Sequence, residues 1–241
     1  MSEWFVNWFD SPYYHQLYKH RDEQDAAIFL DNLLKTISLP INATVLDLCC
    51  GTGRHAIYLN KLGHNVLGID LSPKNIQIAQ QLHYNGLTFQ VGDMRNLPFQ
   101  NHFDLIINLF TSFGYFQTQQ ENIQVLHQIA KALKPNGIFI LDFLNPTLTK
   151  TTLTPYCEIQ VDDIQYIIKK KIMNNFIFKE IEVQHNNQKH LFEERIHLFE
   201  YQDFLTIFNQ LNLTIKSLWG DYHTNQYIET QSDRLIFVLR K

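Results

Sequence analysis

Val45-Leu46-Asp47-Leu48-Cys49-Cys50-Gly51-Thr52-Gly53-Arg54-His55-Ala56 is the stretch from which the fold follows. The apolar run Val45, Leu46 and Leu48 is bounded by turn residues and predicts a short buried strand. The run breaks at Cys49, crosses two glycines and enters an amphipathic segment with Ala56, Ile57, Leu59 and Leu62 on one face. Gly63 is placed to end that helix as its C′ residue. Strand, glycine turn and helix N-terminus form a cradle in which backbone N–H groups and the positive end of the helix dipole converge on a small polar ligand. Gly51 and Gly53 would let that ligand approach the backbone without a Cβ in the way.

Gly51-Thr52-Gly53-Arg54-His55-Ala56 also fits the dinucleotide fingerprint G-x-G-x-x-G/A. Two carboxylates separate the readings. Asp47 stands inside the strand, where a nicotinamide-binding strand is apolar up to its first glycine. It can accept hydrogen bonds from the turn, repel a pyrophosphate and tolerate a cationic ligand. Asp70 closes the next apolar run, Asn65 to Ile69, at the right distance to take ribose hydroxyls. Asp47-x-Cys49-x-Gly51-x-Gly53 with Asp70 resembles motif I and the acidic second-strand end of class I S-adenosylmethionine-dependent methyltransferases. Cys49 departs from the commonest form, where a glycine often stands. The resemblance implies S-adenosylmethionine as cofactor, with Asp47, Cys49, Gly51, Gly53, Asp70 and Leu71 around it.

A length of 241 residues suits one sizeable α/β domain with an elaboration. A net charge of −4 carries no general footprint for nucleic acid or an anionic membrane. Three cysteines make no disulfide framework, so a reducing cytoplasm is expected. Met1-Ser2-Glu3-Trp4 lacks the basic and apolar regions of a signal peptide, and no run approaches the ~20 apolar residues of a membrane span.

Trp4, Phe5, Trp8 and Phe9 fall at helical spacing, which predicts a short helix docked on the domain over Glu3 to Phe9. Ser11 to Arg21 is crowded with tyrosine and histidine. The following helix starts near Asp22 and carries Ala26, Phe29, Leu30, Leu33, Leu34 and Ile37 along one face. Helices ahead of the first strand lie over the cofactor cleft in the resembled family. Arg21 is therefore the candidate partner of the cofactor's carboxylate, with Tyr14 and Tyr18 nearby; a solvated Arg–Asp pair is the plainer alternative.

Ser72-Pro73 opens the second helix of the sheet, through Ile76, Ala79 and Leu82. A third strand, Leu87 to Val91, ends at Gly92-Asp93-Met94, and by resemblance Asp93 and Met94 form the adenine pocket. Phe103 to Leu109 is the fourth strand. It runs into the aromatic loop Phe110-Thr111-Ser112-Phe113-Gly114-Tyr115-Phe116, beyond the point where the winding of a doubly wound sheet reverses. Leu109 and Phe110 are therefore expected at the cofactor, and Phe113 and Tyr115 at the substrate. The alternative is plain core for Phe110 and Phe113. A Thr118–Glu121 capping box opens the next helix, and Ile138 to Phe143 is strand five.

From Pro146 to Phe199 the helical period gives way to β-rich runs. Asp162-Asp163, Asn174-Asn175 and Asn186-Asn187 are spaced 12 residues apart, which predicts antiparallel hairpins inserted after strand five. Lys169-Lys170-Lys171 is expected to be an exposed strand face rather than an RNA site. A helix from Tyr201 to Asn209 and two strands, Leu213 to Trp219 and Arg234 to Arg240, would close a seven-stranded sheet as an antiparallel pair.

The expected fold is thus α/β, a three-layer Rossmann-like class I methyltransferase sheet, mostly parallel, plus an antiparallel β insert. Residues 1–145 and 200–241 form the cofactor-binding domain, with 1–38 as a helical cap and 146–199 as a substrate lid. Glu3-Trp4-Phe5, Trp8-Phe9, Tyr13-Tyr14, the Asp93-Met94-Arg95 loop and Asp142-Phe143-Leu144-Asn145-Pro146 resemble a bacterial branch of small class I methyltransferases. That resemblance implies methyl transfer without naming the acceptor; the acceptor is expected to be a small molecule, and the protein a monomer or homodimer. Tyr115, Glu194 and His223 are the candidates for a catalytic base. Eleven scattered histidines and the absence of C-x-x-C spacing leave no metal site to expect. The competing readings are a nicotinamide-dependent oxidoreductase and a non-catalytic S-adenosylmethionine-binding module.

Overall fold

The computed structural model describes residues 4–19, 23–81 and 84–241. The chain opens with α1 (Trp4–Phe9), α2 (Pro12–Leu17) and α3 (Glu23–Leu34). Then follow β1 (Thr44–Leu48), α4 (Arg54–Lys61), β2 (Asn65–Asp70), α5 (Pro73–Ala79), β3 (Leu87–Val91), β4 (Phe103–Asn108), α6 (Gln119–Ala132) and β5 (Leu133–Leu144). The insert comprises α7 (Pro146–Thr152), β6 (Tyr156–Val161), β7 (Ile164–Met173), β8 (Phe176–His185) and β9 (Gln188–His197). The chain closes with α8 (Tyr201–Gln210), β10 (Thr214–Trp219) and β11 (Arg234–Arg240).

Seven strands form one sheet in the order β10-β11-β5-β4-β1-β2-β3. β3, β2, β1, β4 and β5 pair in parallel, and β11 runs antiparallel to both β5 and β10. Strand order reverses between β1 and β4, so their C-terminal ends open the crevice in which such sheets bind ligands. Period-two alternation sends Val45, Leu105 and Ile107 to a core shared with Phe29, Leu33, Ala56, Leu59 and Ile76. The intervening residues Leu46, Leu48 and Ile106 face Val125, Leu126, Ile129, Phe204 and Phe208 on the other side. A parallel sheet covered on both faces is the arrangement its near-continuous apolar strands require.

The hairpins appear where the paired polar residues predict them. Asn174, Asn175, Asn186 and Asn187 have φ of 51°, 61°, 51° and 59°, the left-handed pairs that two-residue turns need. Asp162 also has positive φ, at 54°. They connect the four-stranded antiparallel sheet β6-β7-β8-β9.

One expectation changes. The segment from Pro146 opens with helix α7 rather than with β structure: the Asn145 side chain accepts from the Thr147 N–H at 3.1 Å and Pro146 takes the first helical position. Likewise Ser11 caps a short α2 through the Tyr13 N–H, with Pro12 inside its first turn. The expected helical position of Leu82 lies outside the described residues.

The insert sheet packs on the N-terminal helices. Trp8 and Leu17 are buried with Ile164, Tyr166, Ile168, Ile181 and Val183. Among the described residues no helix is long and apolar enough to cross a membrane.

Candidate functional site

The turn after β1 is held by its neighbours. The Cys49 and Cys50 N–H groups both donate to the Ile69 carbonyl, at 2.7 and 3.0 Å. This forces left-handed backbone at Cys49 (φ 66°), Gly51 (φ 55°) and Gly53 (φ 91°), which is why a glycine is the easier residue at position 49. Asp47 is buried and accepts from the Ala56 N–H in the first turn of α4 at 3.1 Å. Burial lifts its pKa to about 7, against the pull of that N–H and of Arg54.

Asp70 bridges the two turns flanking the crevice. One carboxylate oxygen accepts from the Gly51 N–H and the other from the Ser72 N–H, both at 2.9 Å. Burial raises its pKa, although those two N–H groups lower it. Asp93, beyond β3, is gripped by Arg95 at 2.6 to 3.1 Å. Burial alone would raise the Asp93 pKa, but the guanidinium holds it below the usual range. Arg95 also lies over the Phe116 ring at 4.3 Å and pairs with Glu121 at 3.2 Å.

The loop after β4 turns on two consecutive left-handed residues, Phe110 (φ 57°) and Thr111 (φ 58°). Strain of that kind persists only where the surroundings over-determine it. Fully buried Asp142 accepts from the Phe110 N–H at 2.7 Å and from Arg234 Nε at 2.8 Å, and its own carbonyl accepts from the Thr111 N–H. Arg234 also donates to the Thr111 hydroxyl at 2.7 Å. Phe110 stacks on His55 with 5.3 Å between ring centres, and the Arg54 guanidinium lies over the Phe110 ring, 4.3 Å from its centre.

These elements enclose a cavity of 340 Å³ at the crevice. Its floor is Asp47, Cys49, Gly51, Thr52 and Asp70, its adjoining walls are Leu71, Asp93, Met94, Leu109, Phe110 and Tyr115, and α1 and α2 cover it with Phe9, Asp10, Tyr14, His15 and Tyr18. The cover is tied down where the Ser72 hydroxyl donates to Asp10. His15 was not singled out by sequence. Burial lowers its pKa, so it stays neutral beside Asp70 and Asn75. His55 is also buried and neutral, and among the described residues its Nε2 has no hydrogen-bond partner.

Of the residues expected at a cofactor, Tyr14, Asp47, Cys49, Gly51, Asp70, Leu71, Asp93, Met94, Leu109 and Phe110 meet on this one cavity. Gly53 does not. A Cβ there would lie 2.5 Å from the Phe89 ring, so its smallness serves the packing of α4 against β3. A Cβ on Gly51 would meet nothing within 4 Å, which makes Gly51 the residue that leaves room for a ligand. Arg21 lies outside the described residues.

The catalytic and substrate expectations need correction. Phe113 is fully buried among Phe143, Phe199 and Phe204, and is core rather than cavity wall. His223 is exposed on the loop between β10 and β11, away from the cavity. Glu194 lies behind the cover, where it accepts from Trp8 Nε1 at 2.6 Å and pairs with Lys179 at 3.1 Å. Tyr115 does reach the cavity, but burial pushes its phenol well above the usual range, so it keeps its proton and is not a resident base. The insert does not roof the cavity either. The N-terminal helices do so, and the insert supports them from behind.

Among the described residues no group of three or more His, Cys, Asp and Glu side chains could hold a metal ion. Residues 45–137 match the family model of a methyltransferase domain. The cypemycin N-terminal methyltransferase of a Streptomyces species is 36% identical over 104 residues, which is 43% of this chain and 42% of that protein. The chain's match spans about half the length of the curated relatives it matches. By structure, the CcbJ methyltransferase from Streptomyces caelestis has a TM-score of 0.79 at 21% identity, covering 99% of this chain and 96% of that one. A methyltransferase from Clostridium acetobutylicum ATCC 824 has a TM-score of 0.78 at 20% identity, covering 95% and 96%. Residues 45–137 thus match a methyltransferase domain, and over nearly its whole length the chain has the Rossmann-like fold of the class I methyltransferases.

Proposed function

We propose that this protein transfers a methyl group from S-adenosylmethionine to a small-molecule acceptor. The observation that carries the reading is Asp70, whose two oxygens each hold one backbone N–H of the crevice while the carboxylate faces the cavity. A carboxylate fixed in this way suits a vicinal diol, which a nicotinamide cofactor also carries. The feature that disfavours the nicotinamide reading is Asp47, an acid inside β1 at the glycine turn and the N-terminus of α4, where a pyrophosphate would sit. The remaining donors fit the same group: Asp93 and Met94 for a purine edge, and a carboxylate-rich floor with tyrosine rings for a sulfonium cation.

When bound, S-adenosylmethionine supplies an electrophilic methyl on a good leaving group. The chain's own residues then have to orient and to exclude water. Asp70 would fix the ribose, Asp93 and Met94 the adenine, and Phe9, Tyr14 and Tyr115 would keep the cavity dry. Orientation of this kind can be worth roughly 7–11 kcal/mol of barrier. No resident base is needed for an amine that arrives unprotonated. Nitrogen is the acceptor atom we favour, because several relatives and structural neighbours are named as N,N-dimethyltransferases, a sugar N-methyltransferase or an amino pentose methyltransferase. Cys49, Cys50 and Cys157 are free, which suits a reducing cytoplasm.

Calorimetry with S-adenosylmethionine and, in parallel, NADH tests the proposal. S-adenosylmethionine should bind one to one, and Asp70→Ala should weaken it by about 1.5–3 kcal/mol, the contribution of a charge-assisted hydrogen bond. Binding of NADH but not of S-adenosylmethionine would overturn it.

A further inference from the structure

Three charges cross one face of the insert sheet in a row. Lys170 on β7 stands directly opposite Lys179 on β8, and Lys179 stands directly opposite Glu194 on β9. Like charges directly opposite destabilise a sheet. Glu194 compensates only one of the two: its carboxylate pairs with Lys179 at 3.1 Å, both side chains 14% exposed, and also accepts from Trp8. Among the described residues no carboxylate pairs with Lys170. Alternation along β7 separates it from Lys169 and Lys171, which point to the opposite face, where Lys171 pairs with Glu180 at 2.9 Å. So the exposed-face expectation for the lysine triplet fits its outer two members, and the middle one turns inward.

Lys170, Lys179 and Glu194 line a second cavity of 330 Å³, whose opposite wall carries Thr149, Thr152 and Thr154. The helix supplying the first two threonines starts immediately after β5, so the cleft opens on the rim where ligands meet such sheets. One side chain joins it to the first cavity. Tyr18 lines that cavity, and its hydroxyl accepts from Lys179 Nζ at 2.5 Å and donates to Glu194 at 3.4 Å.

We propose that this cleft binds the methyl acceptor by an anionic group, a carboxylate or a phosphate, held between Lys170 and the threonine hydroxyls. The acceptor class follows: a small molecule with an anion at one end and its nucleophile at the other, reaching past Tyr18 toward the methyl group. The inference rests on the methyl-transfer reading for the word acceptor. The anion site itself can be tested without cofactor.

The test is an amide NMR titration of the full chain, free of cofactor, with inorganic phosphate and separately with acetate at constant ionic strength. Saturable shifts should centre on Thr149, Thr152, Lys170 and Lys179. Lys170→Met should weaken phosphate at least about tenfold, whereas Lys171→Met should leave it unchanged. Lys170→Gln, which keeps a polar side chain in the cleft, serves if the Met variant does not fold. Response to phosphate alone supports a phosphorylated acceptor, and response to both supports a carboxylate as well. Linear, unsaturated shifts spread over all exposed lysines, or equal losses in the Lys170 and Lys171 variants, would overturn the proposal. Calorimetric failure with S-adenosylmethionine alongside saturable phosphate binding would instead overturn the methyl-transfer reading and leave the anion site standing.

Discussion

At the residue scale, the carboxylates and glycines of the first turn do different jobs that one motif conceals. The sequence places Asp47 in a strand, but only its burial shows that its proton is held to about pH 7 against an ordinary value of 3.8. Below that ordinary value the carboxyl is protonated in folded and unfolded chains alike. Between there and pH 7 the unfolded chain has released a proton that the folded chain retains, so this contribution to stability falls as pH rises through the window. Each pKa unit corresponds to about 1.4 kcal/mol. Asp47→Asn should therefore lack that decline, and denaturant midpoints of both proteins from pH 4 to 8 would show it; parallel profiles would contradict the assignment. The glycines divide similarly. Gly53→Ala should destabilise the fold by more than about 1 kcal/mol, because its Cβ meets the Phe89 ring in a left-handed residue. Gly51→Ala should stay folded and lose S-adenosylmethionine affinity. Spacing alone cannot separate these two, since what differs is the ring from β3 lying over one of them.

At the scale of elements, strands and long helices are legible because their periods are strong, and short helices are legible only where something marks them. α1 has six residues but shows itself through four aromatics at helical spacing, whereas α2 and α7, with six and seven, show no period and their evidence is local: Ser11-Pro12 and Asn145-Pro146 are cap-and-proline starts. The hairpin turns are readable for the opposite reason, since paired asparagines tolerate positive φ wherever they occur. Which face of a hairpin lies under a helix is not readable, and with it goes the role of Glu194. In the structure its partner is Lys179, whose pKa the charge of Glu194 and the Tyr18 hydroxyl hold high although burial lowers it. Breaking one side of a buried pair leaves the other uncompensated. Lys179→Met should cost about 3–5 kcal/mol, and Lys179→Met with Glu194→Leu substantially less. A double-mutant cycle by chemical denaturation measures this, and additive single losses would mean that the pair is not coupled.

At the scale of the molecule, the insert is tied to the cover of the cavity rather than being the cover itself. Trp8 of α1 is buried in the insert's core and donates to Glu194, the Tyr166 hydroxyl donates to the Tyr13 carbonyl, and Gln16 and Lys19 both reach Asp162 at the first insert turn. A sequence-level division, in which the insert determines substrate and the sheet alone determines cofactor, would leave S-adenosylmethionine affinity within about tenfold, roughly 1.4 kcal/mol, when the insert is removed. The contacts argue otherwise. α1 and α2 are six residues each, below the length at which helices hold themselves in water, and they depend on what they pack against. Replacing residues 155–195 with a glycine-serine linker keeps Asn145, Leu198 and Phe199, which the main domain buries, so the seven-stranded sheet should still form. Its cover should not. Affinity for S-adenosylmethionine should then fall by more than tenfold even though Asp47, Asp70 and Asp93 are intact, and amides of α1 and α2 should exchange faster than in the parent protein. Calorimetry and hydrogen exchange on the same sample decide the matter. A shortened protein that folds and binds S-adenosylmethionine as tightly as the parent would show that the cover is held by its Asp10–Ser72 contact to the sheet.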